Sequence, residues 1–143
     1  MYYMGVDPGV SGGMAVLDVE GHVVRAKKFP DTSVDLWGEF REYAGASAML
    51  EFVRSSPQMG VASSFSFGAS YGLLRGFLIA ADVSFEEVTP RRWQKAMGCL
   101  TGGDKNISKA RAQELFPRVK ITHAIADALL IAEYCRRCRR GLL

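Results

Sequence analysis

Cysteine is scarce in this sequence, and the little present excludes a disulfide scaffold. The three residues, Cys99, Cys135 and Cys138, include one Cys-x-x-Cys pair. No second pair and no neighbouring histidines complete a zinc site, so they read as reduced thiols on a C-terminal helix. Long apolar runs are missing as well. The stretch from Leu73 to Val83 is broken by Arg75 and Asp82 and falls short of the roughly 20 apolar residues that a membrane span needs. Asp7 stands where the apolar segment of a secretory signal would run, so the expected location is the cytoplasm. No internal repeat, linker or low-complexity tract divides the chain, and one domain over residues 1–143 is expected. Its 48% hydrophobic and 23% charged content suits a globular core that needs neither metal nor disulfide to hold together.

A strong charge of either sign is lacking too, since the net value is only +3. Position says more than the sum. Residues 1–90 hold 6 basic and 11 acidic side chains, a net of −5, while residues 91–143 hold 12 and 4, a net of +8. That division points to a polyanionic partner for the C-terminal part.

What is present reads as an α/β pattern. Tyr2 to Asp7, Met14 to Asp18 and His22 to Phe29 read as three strands, separated by Gly- and Pro-rich turns, in an antiparallel meander. Leu36, Trp37, Phe40 and Tyr43 mark one face of a short helix. Ala46 to Val53 is a nearly all-apolar fourth strand, of the kind covered on both faces. The spacing predicts a helix from Phe67 to Asp82, with Gly68, Gly72, Gly76 and Ala80 in one stripe. Each interior glycine costs about 1 kcal/mol relative to alanine, so the stripe calls for a close approach to another helix or a second subunit. A fifth strand over Phe85 to Val88 precedes a helix opened by Thr89-Pro90. Further helices follow from Ile107 to Phe116 and from Thr122 onwards.

Three acids fall where acids are costly. Asp7 ends an apolar strand, Glu51 interrupts a buried one, and Asp127 lies among Ala124, Ile125, Ala126, Ala128, Leu129 and Leu130. A desolvated carboxylate needs a partner or a metal. If the first and fourth strands lie parallel and adjacent, Asp7 and Glu51 share an edge that a helix N-terminus carrying Asp127 can reach. Three hard oxygen donors without thiolates suit Mg²⁺ or Mn²⁺, and two such ions about 4 Å apart can hydrolyse a phosphodiester. His123, four residues before Asp127, shares its helix face. It is either a metal ligand, a proton shuttle, or a simple polar residue at a helix start.

These residues resemble a family. The segments Met4-Gly5-Val6-Asp7-Pro8-Gly9, Leu50-Glu51-Phe52-Val53, Phe65-Ser66-Phe67-Gly68, Val88-Thr89-Pro90-Arg91-Arg92-Trp93-Gln94-Lys95 and Ala126-Asp127-Ala128-Leu129-Leu130-Ile131-Ala132 are similar, in order, to the RuvC-type Holliday junction resolvases, particularly their bacteriophage branch. The resemblance implies an RNase H-like fold: a five-stranded mixed sheet, antiparallel in its first three strands and then parallel, flanked by helices. It implies a homodimeric endonuclease that cleaves four-way DNA junctions with two Mg²⁺ or Mn²⁺ ions per site. Asp7, Glu51 and Asp127 match the family's metal-binding acids. The position of a common fourth ligand is Ala124 here, with His123 the nearest substitute. Phe65 or Phe67 resembles a base-stacking aromatic. Lys95, Lys105 and Lys109 resemble basic residues near the scissile phosphate and DNA arms, with Arg91, Arg92 and the terminal arginines expected on the DNA backbone. Two rival readings are a module that binds branched DNA without cutting and an actin-like phosphotransferase using the Asp7 to Gly13 loop.

Overall fold

The computed structural model describes residues 1–143. The strands are β1 (Tyr3–Asp7), β2 (Gly13–Leu17), β3 (Val23–Lys28), β4 (Ser47–Glu51) and β5 (Ser84–Val88). The helices are α1 (Ser33–Phe40), α2 (Val61–Ala80), α3 (Pro90–Ala96), α4 (Lys105–Leu115) and α5 (His123–Arg139), with a 3₁₀ turn at Arg41–Tyr43. One five-stranded sheet runs in the order β3-β2-β1-β4-β5. β1, β2 and β3 pair antiparallel, whereas β4 lies parallel to both β1 and β5. The expected mixed sheet is therefore present, with strand ends within a few residues of those read from the sequence.

Alternation of side chains along each strand divides the interior into two layers. Met4, Val6, Met14, Val16, Ala48 and Leu50 face α1 and α2. Tyr3, Ala15, Leu17, Met49 and Val88 face α3, α4 and α5. α5 is the central element of that second layer, with ten buried residues from Ile125 to Cys135. It lies against β1 because Gly5 has no side chain: a Cβ there would stand 2.1 Å from the Ala128 carbonyl oxygen. Cys135, further along α5, donates its thiol to the Ser47 carbonyl at 3.5 Å, and all three cysteines are free thiols.

α2 begins six residues before the sequence pattern suggests and buries only Leu74 and Leu78. A Cβ at Gly68, Gly72 or Gly76 would meet nothing within 4 Å, so no other helix of the chain fills that stripe. Val61, Phe65 and Ile79 are 90%, 79% and 68% exposed. After α3, Gly102 and Gly103 take φ values of 57° and 95°, which glycine adopts without strain. The chain thereby turns back so that α4 packs on α5. No helix is long and apolar enough to cross a membrane.

Candidate active site

Strand register brings the first two acids together. Val6 pairs with Leu50 in the parallel β1–β4 ladder, so Asp7 and Glu51, the next residues, leave the sheet side by side. Both project to the α5 face, because Val6 and Leu50 belong to the opposite layer. The contact between Gly5 and the backbone of Ala128 and Ala132 sets α5 so that its first turns end over the same strand tips. Asp127 is thus delivered from above. A cavity of about 200 Å³ is lined by Asp7, Glu51 and Asp127 together with Gly9, Ser11, Gly12, Lys105, Ser108, His123 and Ala126.

The electrostatics of this cavity are those of crowded anions. Burial, followed by the repulsion of Asp127, raises the Asp7 carboxyl to about 6, although the Gly9 amide donates to Asp7 Oδ1 at 3.1 Å. Burial, then the neighbouring Asp7 charge, raises Glu51 to about 7. Asp127 is raised by burial and moderated by the Ser108 hydroxyl and the charges of Lys105 and His123. Trp93 donates its indole N–H to Glu51 Oε2 at 2.8 Å in a buried bond. Nothing in the sequence sets this tryptophan apart from an ordinary core aromatic. Ser108 is likewise a buried polar residue of the cavity wall that sequence reading passes over.

The donor set fits a hard divalent cation: three carboxylates and one imidazole around a polar cavity, with no thiolate among them. The ligand atoms of the three acids are not all within 4.8 Å of one another. A tighter group, Asp18, Glu20 and His22, occurs on the β2–β3 turn. There His22 bonds to Asp18 through both its backbone and its ring, and the Arg136 guanidinium lies against Gly21. A cation adjacent to that guanidinium would be repelled, so the cluster serves the turn.

Other residues marked by the sequence lie apart from the cavity. Phe65 is on α2 and exposed, whereas Phe67 is half-buried and lines, with Pro8, Gly9 and Leu36, a groove of about 650 Å³ that shares Gly9 with the cavity. Arg92 and Lys95 line an open cleft with Tyr134 and Cys138. Arg91 is exposed on α3, and Lys109 is one turn beyond Lys105 on α4. None of Arg91, Arg92, Lys95, Lys105 and Lys109 forms a salt bridge. The terminal arginines, expected on the DNA backbone, also make contacts within the fold. Arg136 and Arg137 bind the buried Glu133 at 2.8 and 2.7 Å, Arg139 binds Glu86 at 3.0 Å, and Arg136 and Arg140 donate to the Val19 carbonyl. They are engaged within the fold because Glu133 and the Val19 carbonyl lie within reach of one helix end.

A mixed sheet in this order, with acids at the tips of β1 and β4 and on the first turns of the covering helix, defines a RuvC-like α/β fold. Two solved structures share it over nearly their whole length. A structure of Thermus thermophilus RuvC in complex with a Holliday junction substrate superposes with a TM-score of 0.71 at 17% identity, covering 99% of this chain and 97% of that one. A structure of Thermus thermophilus RuvC gives 0.69 at 18% identity, with the same coverage. No protein-family model and no curated protein matches the sequence.

Proposed function

We propose that the chain is a divalent-cation-dependent endonuclease that resolves four-way DNA junctions, akin to the bacteriophage resolvases its motifs resemble. The observation that carries the reading is the convergence of Asp7, Glu51 and Asp127, from three separate elements, on one cavity with Lys105 and His123 at its wall. Carboxylates raised by burial and then by the repulsion of neighbouring acids are stabilised by the charge that a divalent cation brings. The RuvC-like fold supports the same conclusion, since one structural neighbour is a RuvC bound to a Holliday junction substrate.

Mg²⁺ or Mn²⁺, two ions per site, would supply Lewis-acid activation of water and stabilisation of phosphate charge. Asp7, which is repelled by Asp127 and in turn repels Glu51, would hold both ions, with Glu51 and Asp127 holding one each. His123 serves as a further ligand or receives the proton of the attacking water. The water oxygen bonds to phosphorus as the bond to the 3′-oxygen breaks, leaving 5′-phosphate and 3′-hydroxyl ends. The Lys105 ammonium offsets charge that develops on the phosphate. Arg91, Arg92, Lys95 and Lys109, free of internal ion pairs, would hold the DNA backbone, and Phe65 offers an exposed ring for stacking.

A homodimer through α2 completes the proposal. The open glycine stripe admits close approach of a second helix, and the exposed Val61, Leu73 and Ile79 supply apolar area. Two copies then present two cavities for two opposed strands. The test is incubation with a synthetic four-way junction, Mg²⁺ or Mn²⁺, and linear duplex as control. Junction cleavage by the native chain, with binding retained and cleavage lost in Asp7→Asn, is expected. Unimpaired cleavage by Asp7→Asn overturns the metal assignment, and binding without cleavage in either cation assigns a binding module instead.

A further inference from the structure

We propose that Trp93 is a positioning residue for Glu51: its indole N–H, bonded to Oε2, fixes the carboxylate so that the unbonded Oε1 is the preferred ligand for a divalent cation. The proposal rests on the nuclease reading above, which gives Glu51 its cation. Trp93 is fully buried and its sole polar atom has one partner, Glu51 Oε2 at 2.8 Å. No protein donor engages Oε1.

The placement of the indole is rigidly determined. Val88 is the β5 register partner of Glu51, Pro90 opens α3 at its first turn, and the Trp93 amide donates to the Thr89 carbonyl at 3.3 Å. The residue that holds Glu51 is therefore delivered by the strand beside it, five positions beyond its pairing partner. The ring is fully buried in the core cluster that also holds Val88, Met97, Cys99 and Leu130. A donor so held selects one rotamer of a side chain that Asp7 and Asp127 would otherwise repel.

The chemistry of the donor matters as much as its position. An arginine or lysine in this place would neutralise Glu51 and compete with the cation. An indole N–H orients the carboxylate and leaves its full charge available. By holding Oε2 it also opposes two-oxygen ligation, which Ca²⁺ accepts readily and which fits poorly around a small octahedral ion such as Mg²⁺ or Mn²⁺. Trp93 thus bears on cation choice as well as affinity.

The experiment is calorimetric titration of the chain with Mn²⁺ and with Ca²⁺, comparing native protein, Trp93→Phe and Met97→Ala. Met97 belongs to the same core cluster and has no polar hydrogen to donate, so its truncation reports general loosening. Trp93→Phe is expected to weaken Mn²⁺ binding about 10- to 100-fold, in the range for loss of an outer partner of a metal ligand, with a smaller loss for Ca²⁺. Met97→Ala is expected to lower thermal stability and leave the Mn²⁺ affinity nearly unchanged. Unchanged Mn²⁺ affinity in Trp93→Phe, or an equal loss in Met97→Ala, overturns the assignment. A reading that requires no folded variant comes from the two tryptophan indole resonances. Mg²⁺ should move that of Trp93 and leave that of Trp37, which packs on Phe77 in the opposite layer. A Trp93 resonance unmoved at saturating Mg²⁺ also overturns it. A native chain that binds no Mn²⁺ removes the nuclease reading itself, whereas binding that Trp93→Phe leaves intact removes only the role of Trp93.

Discussion

The α carbon of Gly5 faces the carbonyl of Ala128 so closely that a Cβ on Gly5 would stand 2.1 Å from that oxygen and 2.3 Å from the Ala132 nitrogen. Backbone lies on backbone where β1 passes beneath α5. Asp7 is two residues from this contact on one side and Asp127 one residue from it on the other. The separation of the two carboxylates therefore depends on the absence of one methyl group.

Gly5→Ala should accordingly lower stability by about 3 kcal/mol through overpacking. The protein that still folds should bind Mn²⁺ more weakly, because α5 must move to admit the methyl group. Gly38→Ala is the contrasting control, since nothing lies within 4 Å of a Cβ there and an interior helical glycine is being replaced. A gain of about 0.5–1 kcal/mol is expected. Thermal unfolding and calorimetric titration check both.

The metal-free protein should be more stable near pH 5 than at pH 8. Asp7 and Glu51 have folded-state values of about 6 and about 7, above the 3.8 and 4.5 of the unfolded chain. A carboxyl raised on folding favours the fold while it is protonated, and that contribution disappears as pH rises through the folded value. The loss across this window should be roughly 3 kcal/mol. Below pH 4.5 stability should fall again, because Glu39 and Glu133 are held low by their arginine partners. Melting curves in chelator from pH 4 to 8 check the maximum. Glu51→Gln should flatten its alkaline side, and saturating Mg²⁺ should do the same in the native chain.

Basic residues should separate into two groups by what their loss affects. Arg91→Ala, Arg92→Ala and Lys109→Ala should leave unfolding nearly unchanged. Each that contacts a phosphate should reduce the slope of log binding constant against log salt by about 0.9 on duplex arms. Arg136→Ala should do the reverse, costing about 1–3 kcal/mol by leaving Glu133 short of a partner and altering the slope little. Salt titrations of junction binding, beside thermal melts, distinguish the groups.

Phe65→Ala should weaken junction binding by about 1–3 kcal/mol, the value of one base stacked on an aromatic ring, with no loss of fold stability because the ring is 79% exposed. Phe67→Ala should lower stability instead, since that ring is half-buried beside Leu36 and Leu74. Fluorescence binding to a labelled junction and thermal melts are sufficient to decide.

The sheet was legible chiefly where a strand carries a short apolar run closed by a glycine or proline turn, as in Met4 to Asp7 before Pro8-Gly9. The three acids were legible for a related reason: a carboxylate inside an apolar run is conspicuous. The start of α2 was not, since Val61 to Ser66 bury nothing and leave no apolar period to read. Trp93 could not be distinguished either, because one ring in a core helix looks like any other until Glu51 stands 2.8 Å from its nitrogen. The internal contacts of the terminal arginines were only partly legible: Glu133 is three and four residues from Arg136 and Arg137, whereas Glu86 and the Val19 carbonyl are 53 and 117 or more residues from the arginines they hold.

The exposed side of α2 and the unpaired basic side chains of α3 and α4 answer to ionic strength in opposite directions. Sulfate strengthens any association of apolar surface by its exclusion from the protein, whereas added electrolyte displaces a cationic face from a polyanion. A preparation in concentrated sulfate would then favour self-association through Val61, Leu73 and Ile79 while releasing nucleic acid carried through from the cell. Dilution into low salt would reverse both tendencies at once.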